Sequence, residues 1–227
     1  MPTVLITGCD YGIGFELASQ YAAQDWRVHA VCLEAGSASR IEALTGDTHF
    51  HHVDVSVVAA VKSLATTLAD EAIDIVINNA ATFAPDGPGA LQLPEADEFL
   101  RVMHVNAIAP VYVAEAFVEH VSASQRKIMA FISTRSGSIG DNSSGGHYAY
   151  RCSKAALNMA AKSIAVDFAK RGILSVALHP GSVATETRKG GQITVTKSAT
   201  GLRAELETLT EERSGTFRRY DGGTIEW

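Results

Sequence analysis

The chain has little cysteine: Cys9, Cys32 and Cys152 are all that occur among 227 residues. An odd number without ligand-like spacing excludes a disulfide framework and points to a reducing compartment, with the thiols as small apolar fillers. Long hydrophobic runs are also missing, so no segment reaches the roughly 20 apolar residues that span a bilayer. Nor is there a basic excess. Nineteen Lys and Arg against 25 Asp and Glu give a net charge of −6, which argues against nucleic acid and anionic membranes as partners. No charged leader precedes the strand-like start MPTVLITG, and the expectation is a cytoplasmic protein. His49, His51 and His52 lie close together, but no acidic or cysteine partner has ligand spacing, and no metal site is predicted.

What is present is an alternation. Apolar, β-branched runs at 4–7, 27–33, 48–55, 73–80, 127–134 and 173–179 predict six strands. Helical patterns fall between them at 15–26, 39–45, 57–71, 99–121 and 148–172, with Pro110 expected to kink the fourth. Unbroken apolar strands suit a parallel sheet covered on both faces. The predicted fold class is α/β, a single Rossmann-type doubly wound parallel sheet with helices on both faces, in one domain over residues 1–227. Residues 82–94 hold three prolines and two glycines and predict a loop. Residues 186–200 lack periodicity and predict a flexible substrate lid. A helix over 202–213 follows, and Arg218 and Arg219 read as a solvated basic step.

Ligands of such sheets bind beyond the carboxyl ends of the strands. At the first of these ends stands Gly8-Cys9-Asp10-Tyr11-Gly12-Ile13-Gly14, between a strand and a helix. A helix start there offers unsatisfied N–H groups and a positive dipole to a phosphate. Gly8 permits the tight turn, Gly12 the approach of a pyrophosphate, and Gly14 the packing of helix on strand. Farther along, Tyr150 and Lys154 are four residues apart, on one helical face. A phenol of pKa about 10 beside an ammonium is a tunable general acid and base.

Four segments, Thr7-Gly8-x-x-x-Gly12-Ile13-Gly14, Asn78-Asn79-Ala80, Tyr150-x-x-x-Lys154 and Pro180-Gly181-x-Val183-x-Thr185, occur in the order and spacing of the short-chain dehydrogenases and reductases. The whole chain resembles that family, and YAYRCSKAALN and FRRYDGGTIEW resemble its sniffer and C-factor-like carbonyl reductases. The resemblance implies an NAD(P)-dependent oxidoreductase that interconverts a carbonyl and a secondary alcohol. Tyr150 would exchange the proton, Lys154 would lower its pKa and hold the nicotinamide ribose, and Asn106 would position a water. The family's serine falls on Thr134, with Ser133 and Ser136 as fallbacks. Cofactor contacts are implied at Gly8, Asp10, Tyr11, Gly12, Ile13, Gly14, Leu33, Asp54, Val55, Asn79, Ala80, Tyr150, Lys154, Pro180, Gly181, Val183 and Thr185. Between NAD and NADP the reading leans to NAD, because Tyr11 and Leu33 stand where phosphate-binding relatives carry basic residues. Arg40 is the side chain left that could reach a phosphate. A small-molecule carbonyl or alcohol is the implied partner, and a homodimer or homotetramer the implied assembly. The alternative is a dinucleotide-binding signalling or sensor protein with weak or no catalysis.

Overall fold

The computed structural model describes residues 1–84, 91, 93–186 and 190–227. Among these residues seven parallel strands form one sheet: β1 (Thr3–Thr7), β2 (Arg27–Cys32), β3 (Thr48–His52), β4 (Ile75–Asn78), β5 (Ile128–Ile132), β6 (Leu174–His179) and β7 (Phe217–Arg219). Their order is β3-β2-β1-β4-β5-β6-β7. The chain runs outward from β1 to β3 and then returns to the other side of β1 for β4. That reversal opens a crevice at the carboxyl ends of β1 and β4.

Alternation along each strand sorts the side chains between the two faces. Leu5, Val76, Met129 and Phe131 pack with α3 (Val58–Thr67), α5 (Ala109–Ser122) and α6 (Tyr148–Asp167), where Leu64, Phe117 and Leu157 are buried. Val4, Ile6, Ile75 and Ile77 pack on the other side with α1 (Gly12–Ala22) and α7 (Val195–Glu207), against Leu17, Tyr21, Leu202 and Leu206. Among the described residues no helix is long and apolar enough to cross a membrane.

Several expectations are corrected. The seventh strand went unread because three residues, Phe217–Arg219, are too short for a period of two. The long helix is in fact α4 (Ala96–Met103), a π turn over His104–Ile108 and α5, so the break precedes Pro110. Proline cannot donate to the carbonyl four residues back, and the ladder is interrupted at Asn106. The lid expected over 186–200 is helical from Val195, with Thr194 Oγ1 capping the N–H of Lys197. Ser198 and Ala199 are fully buried there. Part of the 82–94 loop and residues 187–189 lie outside the described residues.

Arg218 is not solvated: its Nε donates to Glu205 Oε2 at 2.9 Å, and 15% of the side chain is exposed. Cys9 and Cys32 are buried fillers, whereas Cys152 is exposed. The histidines of β3 join a polar cluster that the sequence reading missed. Buried His29 places Nε2 2.9 Å from Glu71 Oε2 and Nδ1 3.0 Å from His51 Nε2, while His49 pairs with Asp47. Burial, then neighbouring His29, pushes His51 down to about 4.

The site depends on close approach at the first crossover. A Cβ on Gly14 would overlap the carbonyl oxygen of Gly8 and lie 2.5 Å from Asn79 Nδ2. Gly14→Ala is expected to destabilise by about 3 kcal/mol and to lower Tm by about 6–12 °C. An unchanged melting curve would show that the loop can move aside.

Candidate active site

The glycine loop is held from β4. Thr7 Oγ1 accepts the N–H groups of Asn79 at 3.0 Å and Ala80 at 3.1 Å, and Asn79 Nδ2 donates to the carbonyls of Thr7 (3.0 Å) and Gly8 (2.9 Å). These four bonds weld the end of β4 to the start of the loop. Gly8 and Gly12 have φ of 72° and 61°, a region that favours glycine. A Cβ on Gly12 would meet nothing nearer than Thr185 Cγ2 at 3.6 Å, so it would narrow an open cradle.

That cradle belongs to a cavity of about 450 Å³ that Gly8, Asp10, Tyr11, Gly12, Ile13, Leu33, Asp54, Val55, Asn79, Ala80 and Thr185 all line. Gly14 and Pro180 lie behind it, Gly14 against Gly8 and Pro180 with its carbonyl accepting from Ser198 Oγ. Val183 is buried and bridged to Ile193. Asp54 does not cap α3, because its Oδ1 accepts the N–H and hydroxyl of Ser56. Arg40 donates to the Asp10 carbonyl and pairs with Glu186 at 3.1 Å.

Tyr150 and Lys154, the predicted acid–base pair, lie on the first turns of α6. Lys154 is 2% exposed and its Nζ donates to the carbonyl of Ile132 at 2.9 Å. Burial pulls the ammonium from 10.5 down to about 8. Nζ stands 6.0 Å from the centre of the Tyr150 ring. The helix reaches this depth because Gly137 carries no side chain: a Cβ there would sit 2.8 Å from the Lys154 backbone. Asn158 completes the contact, with Nδ2 donating to the Gly137 carbonyl and Oδ1 accepting from Ser133 Oγ at 2.6 Å. Ser133 is thereby buried.

Thr134 is half-buried, and its Oγ1 accepts the N–H of Ser136 at 3.3 Å. Asn106, in the π turn, is fully buried. Its Oδ1 accepts from Thr82 N at 2.7 Å, and its Nδ2 donates to Thr82 O and to Ser153 Oγ at 3.0 Å. Ser153 in turn donates to the Tyr150 carbonyl at 2.8 Å, so Asn106 is tied to the helix that carries the pair. The sequence reading missed Ser153, Asn158 and Phe83. The Phe83 ring lies tilted against Tyr150, with centroids 5.0 Å apart, and against His147, at 5.4 Å. The contact of Ser153 with Asn106 joins residues 47 positions apart and left no local signal, and Phe83 lay in a loop without periodicity. A second cleft of about 730 Å³ opens from Thr134 past Gly181 and Ile193 to Arg219 and Ile225.

Comparisons with known proteins agree with this geometry. The sequence model of the short chain dehydrogenases matches residues 2–196. The chain is 34% identical to 1-hydroxy-2-glutathionyl-2-methyl-3-butene dehydrogenase of Rhodococcus sp. (strain AD45), with all of both chains covered. It is 33% identical to the C-signal protein of Myxococcus xanthus, over 73% of this chain and 99% of that one. Among solved structures, the carbonyl reductase Sniffer of D. melanogaster superposes with a TM-score of 0.90 at 28% identity over the whole of both chains. The NADPH-bound carbonyl reductase from chicken fatty liver gives 0.89 at 27% identity, over 100% of this chain and 99% of that one. The match over residues 2–196 and the full-length relative show that the chain belongs to the short-chain dehydrogenase/reductase family.

Proposed function

We propose that the protein interconverts a small carbonyl compound and a secondary alcohol, with Tyr150 exchanging the proton and NAD or NADP as cofactor. The observation that carries this reading is the buried Lys154 ammonium on the same helical face as Tyr150. The residues present fit a dinucleotide: Gly8 and Gly12 adopt positive φ, and the cradle at Gly12 stays open. When bound, the nicotinamide supplies or accepts the hydride. Tyr150 gives a proton to the substrate oxygen in reduction and takes it in oxidation, and the Lys154 charge favours the phenolate. Thr134 donates a hydrogen bond to the same oxygen. Asn106 and Ser153 position α6, and Asp54, Val55 and Thr185 hold the cofactor's ends.

The substrate enters through the cleft between Thr134 and Arg219, which is lined largely by polar groups. A cytoplasmic setting fits the free thiols. A purely dinucleotide-sensing role, favoured by the likeness to the C-signal protein, has a use for Lys154 in binding but needs no acid at Tyr150.

Tyr150→Phe is expected to lower turnover at least about 100-fold while dinucleotide binding, read by thermal shift, persists. Unimpaired turnover would remove Tyr150 from the chemistry. Lys154 yields a second test through stability. Lowering its pKa from 10.5 to about 8 corresponds to roughly 3 kcal/mol against the folded charged form. Below pH 8 that cost is present in full. Between about 8 and 10.5 the unfolded chain keeps a proton that the folded chain has lost, so stability rises with pH. Lys154→Met should therefore be inactive yet melt higher than the wild type at pH 7, with the gap narrowing toward pH 10. A variant that melts lower at pH 7 would contradict this.

Association is proposed through α5 and α6, where Val111, Tyr112, Met159 and Val166 are exposed. Light scattering is expected to give a dimer or tetramer, and a monomer at high concentration would refute it.

A further inference from the structure

Resting on the reading of the glycine cradle as a dinucleotide site, we infer that Asp10 decides between the two dinucleotides. Its carboxylate occupies the donors that a 2′-phosphate would need and itself accepts from the adenosine ribose hydroxyl. Asp10 lies inside the glycine loop, half-buried, and lines the cavity together with Leu33. Its Oδ2 accepts the backbone N–H of Leu33 at 3.0 Å. Its Oδ1 accepts the N–H of Glu34 at 2.9 Å and the hydroxyl of Ser37 at 2.8 Å.

These three donors follow β2. In a fold of this kind, the end of the second strand is where the adenosine ribose is read, by an acid for a free 2′-hydroxyl or by a cation for a 2′-phosphate. No acid stands at the strand end itself, which is Cys32. Asp10 delivers one to the same place from the opposite side, across the glycine loop.

An ionised carboxylate has about four acceptor positions, and three are taken by Leu33, Glu34 and Ser37. The fourth suits a ribose hydroxyl, which is a donor. A 2′-phosphate has no proton to give in this way and brings up to two negative charges against the carboxylate. The exposed Glu34 adds a further negative charge at the same corner. Arg40, the nearby cation, is engaged: Nη1 donates to the Asp10 carbonyl at 2.9 Å, Nη2 pairs with Glu186 at 3.1 Å, and the guanidinium stacks over Phe15 at 4.8 Å. Reaching a phosphate would require it to leave all three. The NADPH-bound carbonyl reductase from chicken fatty liver gives no support to NAD for this chain, so the inference rests on Asp10 and its three donors alone.

The test is a fluorescence titration of the full chain with NADH and with NADPH, repeated with adenosine 5′-phosphate and adenosine 2′,5′-bisphosphate, which isolate the adenosine end and need no turnover. The wild type should bind NADH at least about tenfold more tightly than NADPH. Asp10→Ser, which frees two amides for a phosphate, should reduce that ratio at least about tenfold, and the bisphosphate should gain relative to the monophosphate. Asp10→Asn removes the charge at constant shape and carries the same prediction if Asp10→Ser does not fold. A wild type that binds NADPH as well as NADH, or variants with an unchanged ratio, would overturn the inference while leaving the oxidoreductase reading intact. Failure of both dinucleotides to bind the folded wild type would overturn both.

Discussion

The burial of one ammonium organises half of this molecule. Lys154 is placed where water is scarce, and the Ile132 carbonyl is its hydrogen-bond acceptor. Such a position destabilises the charged form, and the surrounding residues are arranged to hold it nonetheless. Gly137 lets α6 approach the end of β5, Asn158 ties the Gly137 carbonyl and Ser133 into that contact, and Asn106 clamps Ser153 and the Thr82 backbone from the far side. None of these groups gains much by itself, since exchanging water for a protein hydrogen bond contributes about 1 kcal/mol. Together they remove the freedom through which the lysine could swing out to solvent.

The other half is organised by close backbone approach. Gly8 and Gly14 pack almost without side chains between them, and the Asn79 amide fills the remaining polar vacancy by donating to two carbonyls. Asn79 thus serves the loop before it serves any ligand, although it also lines the cavity. The consequence is a glycine loop whose shape is fixed before any ligand binds, which lowers the entropy that the ligand proposed for it must give up.

The sheet, its parallel sense and the crevice at its strand ends were legible in the sequence, because apolar runs and glycine punctuation are local signals. Thr7, Gly8, Gly12, Asn79 and Lys154 each carried their type and spacing in plain view. What stayed hidden depended on partners far away in the chain. The π turn holds Asn106, whose carbonyl can receive no N–H from the proline four residues later and whose side chain bonds to Ser153, 47 positions on. The buried His29 and Glu71 contact could not be seen because the pair is separated by 42 residues. Strand β7 is defined by β6 rather than by its own pattern. The helical start at Val195 was masked by threonines, which favour caps and turns over helix interiors, and Thr194 turned out to be such a cap.

The departure at Thr134 is reconcilable with the role proposed for it. A hydroxyl has one hydrogen to donate and two lone pairs. Here one lone pair is taken by the N–H of Ser136 at 3.3 Å, in the single helical turn over Arg135–Gly137 that the threonine caps. The hydrogen is then left to point elsewhere than at the backbone of that turn. The β-methyl group restricts χ1, so the oxygen has fewer orientations to lose when a substrate binds than a serine oxygen would have. The same methyl takes space at the mouth of the 730 Å³ cleft that Thr134 lines. A threonine at this position therefore keeps the donor and trades room beside the reacting oxygen for a better-defined hydroxyl.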